Sequence, residues 1–252
     1  MATYPYRQDA GLEFLQLCSD AELKELAETL THDEGKLRTF EKLTTEPRFK
    51  ATQRSGSYKK VWSIIAAEIQ RTGSDSIASA WRGHGDVYQN ILIEVLKTFR
   101  VQHNSASTLI ESEERLLKKL LGDAIEKMTA EERQRVAGEI GIDLRRAAPG
   151  ALMAALIGGV HGAGFAAYQA AVIAAKIISK AVLGRGLAFA ANAAITRSLA
   201  IFAGPVGWTL SLATLLPVAT GMNMKISSRA VIHVACLRLQ CLKKAETFLD
   251  ET

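Results

Sequence analysis

Along this 252-residue chain the apolar positions change their density and spacing near the middle. In the first half they recur at helical intervals between polar faces. "YKKVWSIIAAEIQ" sets Val61, Ile64, Ile65 and Ile69 near one face of a helix, and "VYQNILIEVLKTF" does the same with Val87, Ile91, Val95 and Leu96. Both read as amphipathic core helices. Ser19 with Glu22 and Thr129 with Glu132 have capping-box spacing, in which hydroxyl and carboxylate satisfy N–H groups that the first turn of a helix leaves open. Helices are therefore predicted over 10–17, 20–30 and 130–140, with a longer charged one over 105–128. "RTGSDSIASAWRGHG" places Gly73, Gly83 and Gly85 around a short helix.

After Gly141 the polar faces thin out. "APG" at 148–150 breaks the chain, and an apolar helix is predicted from there to about Leu183, where "GRG" offers a stop. A second apolar helix over 187–203 runs into Pro205, a third over 206–216 meets Pro217, and a final helix over 224–249 carries Ile226, Val231, Val234, Leu237 and Leu242. Within 150–175, "GALMAALIGGVHGAGFAAYQAAVIAA", two columns of Gly or Ala repeat every four residues. One holds Gly150, Ala154, Gly158, Gly162, Ala166, Ala170 and Ala174; the other holds Ala151, Ala155, Gly159, Ala163, Ala167, Ala171 and Ala175. Such columns form a ridge without bulk, along which another helix backbone can approach closely.

Length and hydrophobicity then pull apart. The uncharged run 150–175 extends about 39 Å as a helix, beyond the roughly 30 Å of hydrocarbon, and a second uncharged run covers 198–224. The first run is diluted by Gly, His161 and Gln169, and the second is divided by two prolines. Insertion should be marginal, with a hairpin or re-entrant path fitting better than one straight span. His161 is expected to be a core residue rather than a ligand or pH switch.

Charge sharpens this picture. Residues 1–143 hold 20 Lys+Arg and 23 Asp+Glu, whereas 144–245 hold 11 Lys+Arg and no carboxylate. Soluble surfaces mix both signs, so an acid-free, cationic, apolar half points to an anionic lipid surface or an acidic partner. Lys176, Lys180, Arg185 and Arg197 form a wholly cationic link between the two uncharged runs, placed to sit among anionic headgroups, with Phe165, Trp208 and Leu215 as large apolar members of the packing or inserting set. Only 6% of residues are aromatic and five are Pro, which with abundant Ala, Leu, Glu and Lys predicts an all-α, multi-helix bundle built around a long Gly/Ala-rich central apolar helix or hairpin. Three domains are expected: a small helical one over 1–45, an acidic amphipathic one over 46–144 and the cationic apolar one over 145–252.

Little else carries chemistry. The N-terminus lacks a secretory or transit pattern, which predicts a chain finished in the cytoplasm and, at most, peripheral to or inserted in a membrane. Cys18, Cys236 and Cys241 lack metal-type spacing and read as reduced thiols. No P-loop, zincin, nucleophile-elbow or paired CxxC motif occurs, so no cofactor, metal or catalytic residue is assigned. "RGHG" at 82–85 is the best polar candidate: Arg82 can clamp a carboxylate or phosphate beside His84 and Tyr88, or simply pair with an acid such as Glu68 in a glycine-shaped turn. No nucleic-acid partner is expected, because the basic residues of the second half form no stripe with interleaved aromatics.

Several segments resemble a known family together. "AAEIQRTGSDSIASAWRGHGDVYQNILIEVLKTFRV", "KMTAEERQRVAGEIGID", "AGPVGWTL" and "RAVIHVACLR" are similar to the YaaW-like family of uncharacterised bacterial proteins, whose members are often labelled ubiquinol-cytochrome c chaperone-like. "YRQDAGLEFLQLCSDAELKELAETL" resembles the small helical domain that often precedes it. Matching positions include Arg82, Gly83, Gly85, Tyr88, Gly204, Pro205, Gly207 and Trp208; "LPVATGMNMK" departs from the family pattern. The resemblance implies a bacterial protein without a settled activity. The expectation is a non-enzymatic protein that engages or inserts into anionic membranes through its apolar hairpin, in the manner of a pore-forming toxin. The alternative is a soluble assembly chaperone or interaction factor that buries the same helices and holds a protein client. Self-association is open in either case, and an enzyme using Arg82 and His84 ranks third.

Overall fold

A computed structural model describes residues 6–33, 36–37, 43–73, 85–139, 149–161, 170–178 and 224–250. The architecture is all-α, apart from a two-residue antiparallel bridge between β1 (His32–Asp33) and β2 (Lys36–Leu37). Contacts divide the chain into two discontinuous units, one of Met1–Glu113 with Leu216–Val234, the other of Glu114–Leu215 with Ala235–Thr252.

The first unit opens with a 3-10 turn, Glu13–Leu17, where the sequence predicted a helix; Leu15 and Leu12 are buried and Leu17 faces outward. Helix α1 (Asp20–Thr31) starts at the predicted box: the Ser19 hydroxyl accepts from the Glu22 N–H at 3.3 Å, and Glu22 accepts from the Ser19 N–H at 2.7 Å. Its Leu23, Leu26 and Leu30 bury against α3 (Trp62–Thr72), whose Ile64, Ile65 and Ile69 line the same core. Helix α2 (Pro47–Ser55) was not anticipated. Only Phe49 and Thr52 of it are buried, too few apolar positions for a period, while Pro47 at its first turn and Gly56 at its C-cap mark its ends. A 3-10 turn, Tyr58–Val61, links α2 to α3, and α4 (Tyr88–Thr98) adds Ile91, Leu92, Val95 and Leu96 to the core.

In the second unit, α5 (Leu109–Lys127), which begins in the first, and α6 (Ala130–Glu139) bury Leu116, Leu120, Leu121, Ile125 and Val136. The α5 start lies at Leu109, not 105, because Thr108 and Glu111 form a capping box of their own, with bonds of 3.2 and 2.8 Å. Thr129 and Glu132 form the predicted one before α6. Helix α7 (Pro149–Val160) stops where the sequence expected a continuous rod to about Leu183: His161 stands in a turn, exposed. That corrects its assignment as a core residue. A further helical stretch, 170–178, is buried on nearly every side, with Lys176 half-buried. The final helix, α8 (Met224–Asp250), runs from the first unit into the second. Its Val231 and Val234 lie in the core of the first unit and Leu237 in that of the second, while Leu242 is 38% exposed.

Candidate functional site

The densest polar chemistry among the described residues lies inside the first unit. Asp9 sits just ahead of the Glu13–Leu17 turn, and its carboxylate accepts three N–H donors: the Gly11 amide at 2.9 Å, the Tyr88 amide at 2.6 Å and the Gln70 side chain at 3.1 Å. The Tyr88 amide opens α4, so Asp9 caps that helix from 79 residues away. Gln70, fully buried on α3, also holds the main chain of Arg7 at both ends, donating to its carbonyl at 2.8 Å and accepting its N–H at 3.1 Å. The N-terminal segment is thereby tied to α3 and α4.

Tyr88 extends the network. Its hydroxyl donates to buried Glu113 at 2.7 Å, with the Val231 carbonyl at 3.4 Å as a weaker second acceptor. The Ser227 hydroxyl donates to the Thr72 carbonyl at 2.9 Å, and Thr29 meets Nδ1 of buried His233 at 3.0 Å. Glu68, fully buried, accepts from Arg71 through two guanidinium nitrogens, Nε at 2.9 Å, and from the Thr72 hydroxyl at 3.3 Å. These groups bond to one another, and the Asp9 carboxylate is held by three N–H donors. Such an arrangement positions helices, because a buried carboxylate is tolerated when N–H donors replace its water.

Of the polar candidates read from sequence, Tyr88 belongs to this network, whereas Arg82 and His84 lie outside the described residues. Gly85, at the end of the same motif, presses on α3: a side chain there would come within 2.3 Å of the Gln70 carbonyl carbon, and the Asp86 amide bonds the Gln70 carbonyl at 3.1 Å. That glycine serves close backbone packing. The roles of Asp9, Gln70, Glu113 and His233 were missed, since nothing local in the sequence announces bonds across 61 or 79 positions.

The candidate packing set falls on α7. Gly150, Ala154 and Gly158 are exposed, and a Cβ added to either glycine would meet open space. Gly159, in the neighbouring column, is different: its added Cβ would lie 2.8 Å from Cβ of Ala170. Gly162, Phe165, Ala166, Lys180, Arg185, Arg197, Trp208 and Leu215 lie outside the described residues. Among the described residues no group of His, Cys, Asp and Glu is placed to hold a metal ion, and no helix is long and apolar enough to cross a membrane. Cys18 and Cys236 are buried and Cys241 is half-buried, and among the described residues none of the three joins a disulfide.

Residues 6–38, the segment that carries Asp9, match a domain of unknown function, DUF3944. Over 241 residues the chain is 36% identical to a UPF0174 protein of Helicobacter pylori strain J99, covering 93% of each. Over 240 residues it is 30% identical to the UPF0174 protein YaaW of Escherichia coli K12, covering 92% of this chain and 95% of the relative. Neither name refers to a chaperone. No solved structure matches the chain. Near-complete coverage at these identities, with the N-terminal domain in place, makes this chain a member of the UPF0174 (YaaW) family.

Proposed function

We propose that this protein engages the surface of anionic membranes through the apolar, cationic second half of its chain, with α7 as the contact element. The observation that carries the reading is the burial of α7. A helix that is apolar on every side belongs in a core or against lipid. Yet in α7 only Leu152 and Leu156 are buried; Met153, Ile157 and Val160 are half-buried, and Gly150, Ala151, Ala154 and Gly158 are exposed. The absence of carboxylates from 144–245 supports lipid as the occupant, since an anionic bilayer repels acids and attracts the 11 Lys+Arg of that stretch.

The contact is interfacial. At 12 residues α7 is about 18 Å long, short of the hydrocarbon thickness, so it lies along the headgroup boundary. Pore formation would require the apolar runs to cross the bilayer, and dye release from vesicles reads that step separately. The test of the reading itself is flotation of the full chain with phosphatidylglycerol-containing vesicles and with pure phosphatidylcholine vesicles. Recovery with the anionic vesicles is expected. Retention in the aqueous fraction with both compositions overturns the proposal.

A further inference from the structure

A second charged surface lies in the first unit, within the half of the chain whose overall balance is acidic. Residues 47–67 contain no Asp or Glu, but they hold Arg48, Lys50 and Arg54 on α2 and Lys59 and Lys60 on the adjoining 3-10 turn, all five exposed. Among the described residues none of the five makes an ion pair. Lys50 and Arg54 are four apart on the side of α2 turned away from buried Phe49 and Thr52. Like charges at that spacing weaken a helix by a few tenths of a kcal/mol. Two acids approach the rim: Asp20 accepts the Lys59 backbone N–H at 2.8 Å, and Glu28 acts electrostatically on Tyr58.

The aromatic residues beneath this surface are engaged with one another. Phe49 and Tyr58 are buried in an edge-to-face pair with centroids 6.0 Å apart, and half-buried Trp62 packs on Tyr6 at 5.3 Å. Among the described residues no ring on this surface is exposed to stack on a base, which disfavours single-stranded nucleic acid. The surface is also too polar to enter a bilayer, as α2 carries Lys, Arg, Gln and Ser on its outer side.

We propose that the basic face of α2 and the Tyr58–Val61 turn docks on the anionic headgroups of a membrane, as an electrostatic attachment point separate from α7. The choice of lipid as polyanion rests on the membrane reading above; the charged surface itself does not.

The experiment uses the full chain, phosphatidylglycerol-containing vesicles and three variants with thermal unfolding as a control for folding. Each cation near an anionic surface is worth about fivefold in binding. Lys50→Gln with Arg54→Gln should therefore weaken vesicle binding about 25-fold, and adding high salt to the wild type should mimic the loss. Removing three exposed cations of the second unit (Arg115, Lys118 and Lys127, each to Gln) should weaken it far less. Equal loss in that control, or unchanged binding by the double variant, overturns the inference. Ala154→Glu on α7 separates the two claims. If it abolishes binding while the double variant retains wild-type affinity, the docking face fails and the α7 reading stands; the opposite pattern leaves the docking face standing and removes α7. Binding of the wild type to an RNA oligonucleotide but not to vesicles overturns both.

Discussion

Gly158 and Gly159 are adjacent in sequence and opposite in consequence. Open space surrounds the position of a Gly158 Cβ, so Gly158→Ala should stabilise α7 by about 0.5–1 kcal/mol through reduced backbone entropy in the unfolded chain. Gly159→Ala would drive a methyl to 2.8 Å from Ala170 Cβ and should lower stability by about 1–3 kcal/mol, as overpacking does. Urea denaturation of the two variants checks both signs. At Asp9, substitution by Ala strands three N–H donors, and a loss of at least about 2 kcal/mol is expected by the same measurement. Tyr58 gives a pH dependence. Burial, with a smaller contribution from the Glu28 charge, raises its pKa above the ordinary tyrosine value. Its folded form therefore holds its proton more tightly than the unfolded chain does. Stability from this source is complete below about pH 10 and is lost as pH rises from there through the folded value. Denaturation midpoints across that window should fall less steeply in Tyr58→Phe.

At the scale of elements, hydrophobic period and capping chemistry were legible wherever both were local. Ile64, Ile65 and Ile69 placed α3, and Ile91, Val95 and Leu96 placed α4, because one buried face repeats at 3.6 residues. Ser19→Ala should cost α1 about 1 kcal/mol, measurable as a lowered unfolding midpoint, since its hydroxyl and Glu22 complete the box. Helix α2 escaped notice because two buried residues make no period; its end signals, Pro47 and Gly56, were present and outvoted by polarity. The stop at Val160 also went unread. The two small-residue columns continue through 150–175, and nothing in that pattern marks a turn at His161. The buried cluster of Asp9, Gln70, Tyr88 and Glu113 was illegible for another reason: each bond joins residues remote in sequence, and each residue alone reads as an ordinary surface polar group.

For the whole molecule, the asymmetry of charge is the feature that composition alone conveys and the fold gives a place to. The acid-free stretch 144–245, with 11 Lys+Arg, contains a charge-free helix whose outward side is exposed, and the first half presents five exposed cations on α2 and the turn after it. Both features suit an anionic lipid surface, one by apolar contact and one by charge. The most direct test is vesicle flotation of Ala154→Glu against Ala154→Gln. Both place a side chain of similar size at an exposed position of α7, and only Glu adds the negative charge that an anionic interface disfavours. The Gln variant is expected to float with phosphatidylglycerol-containing vesicles much like the wild type, while the Glu variant binds about fivefold more weakly with unchanged thermal stability. Equal binding by the Glu variant, the Gln variant and the wild type would contradict this expectation.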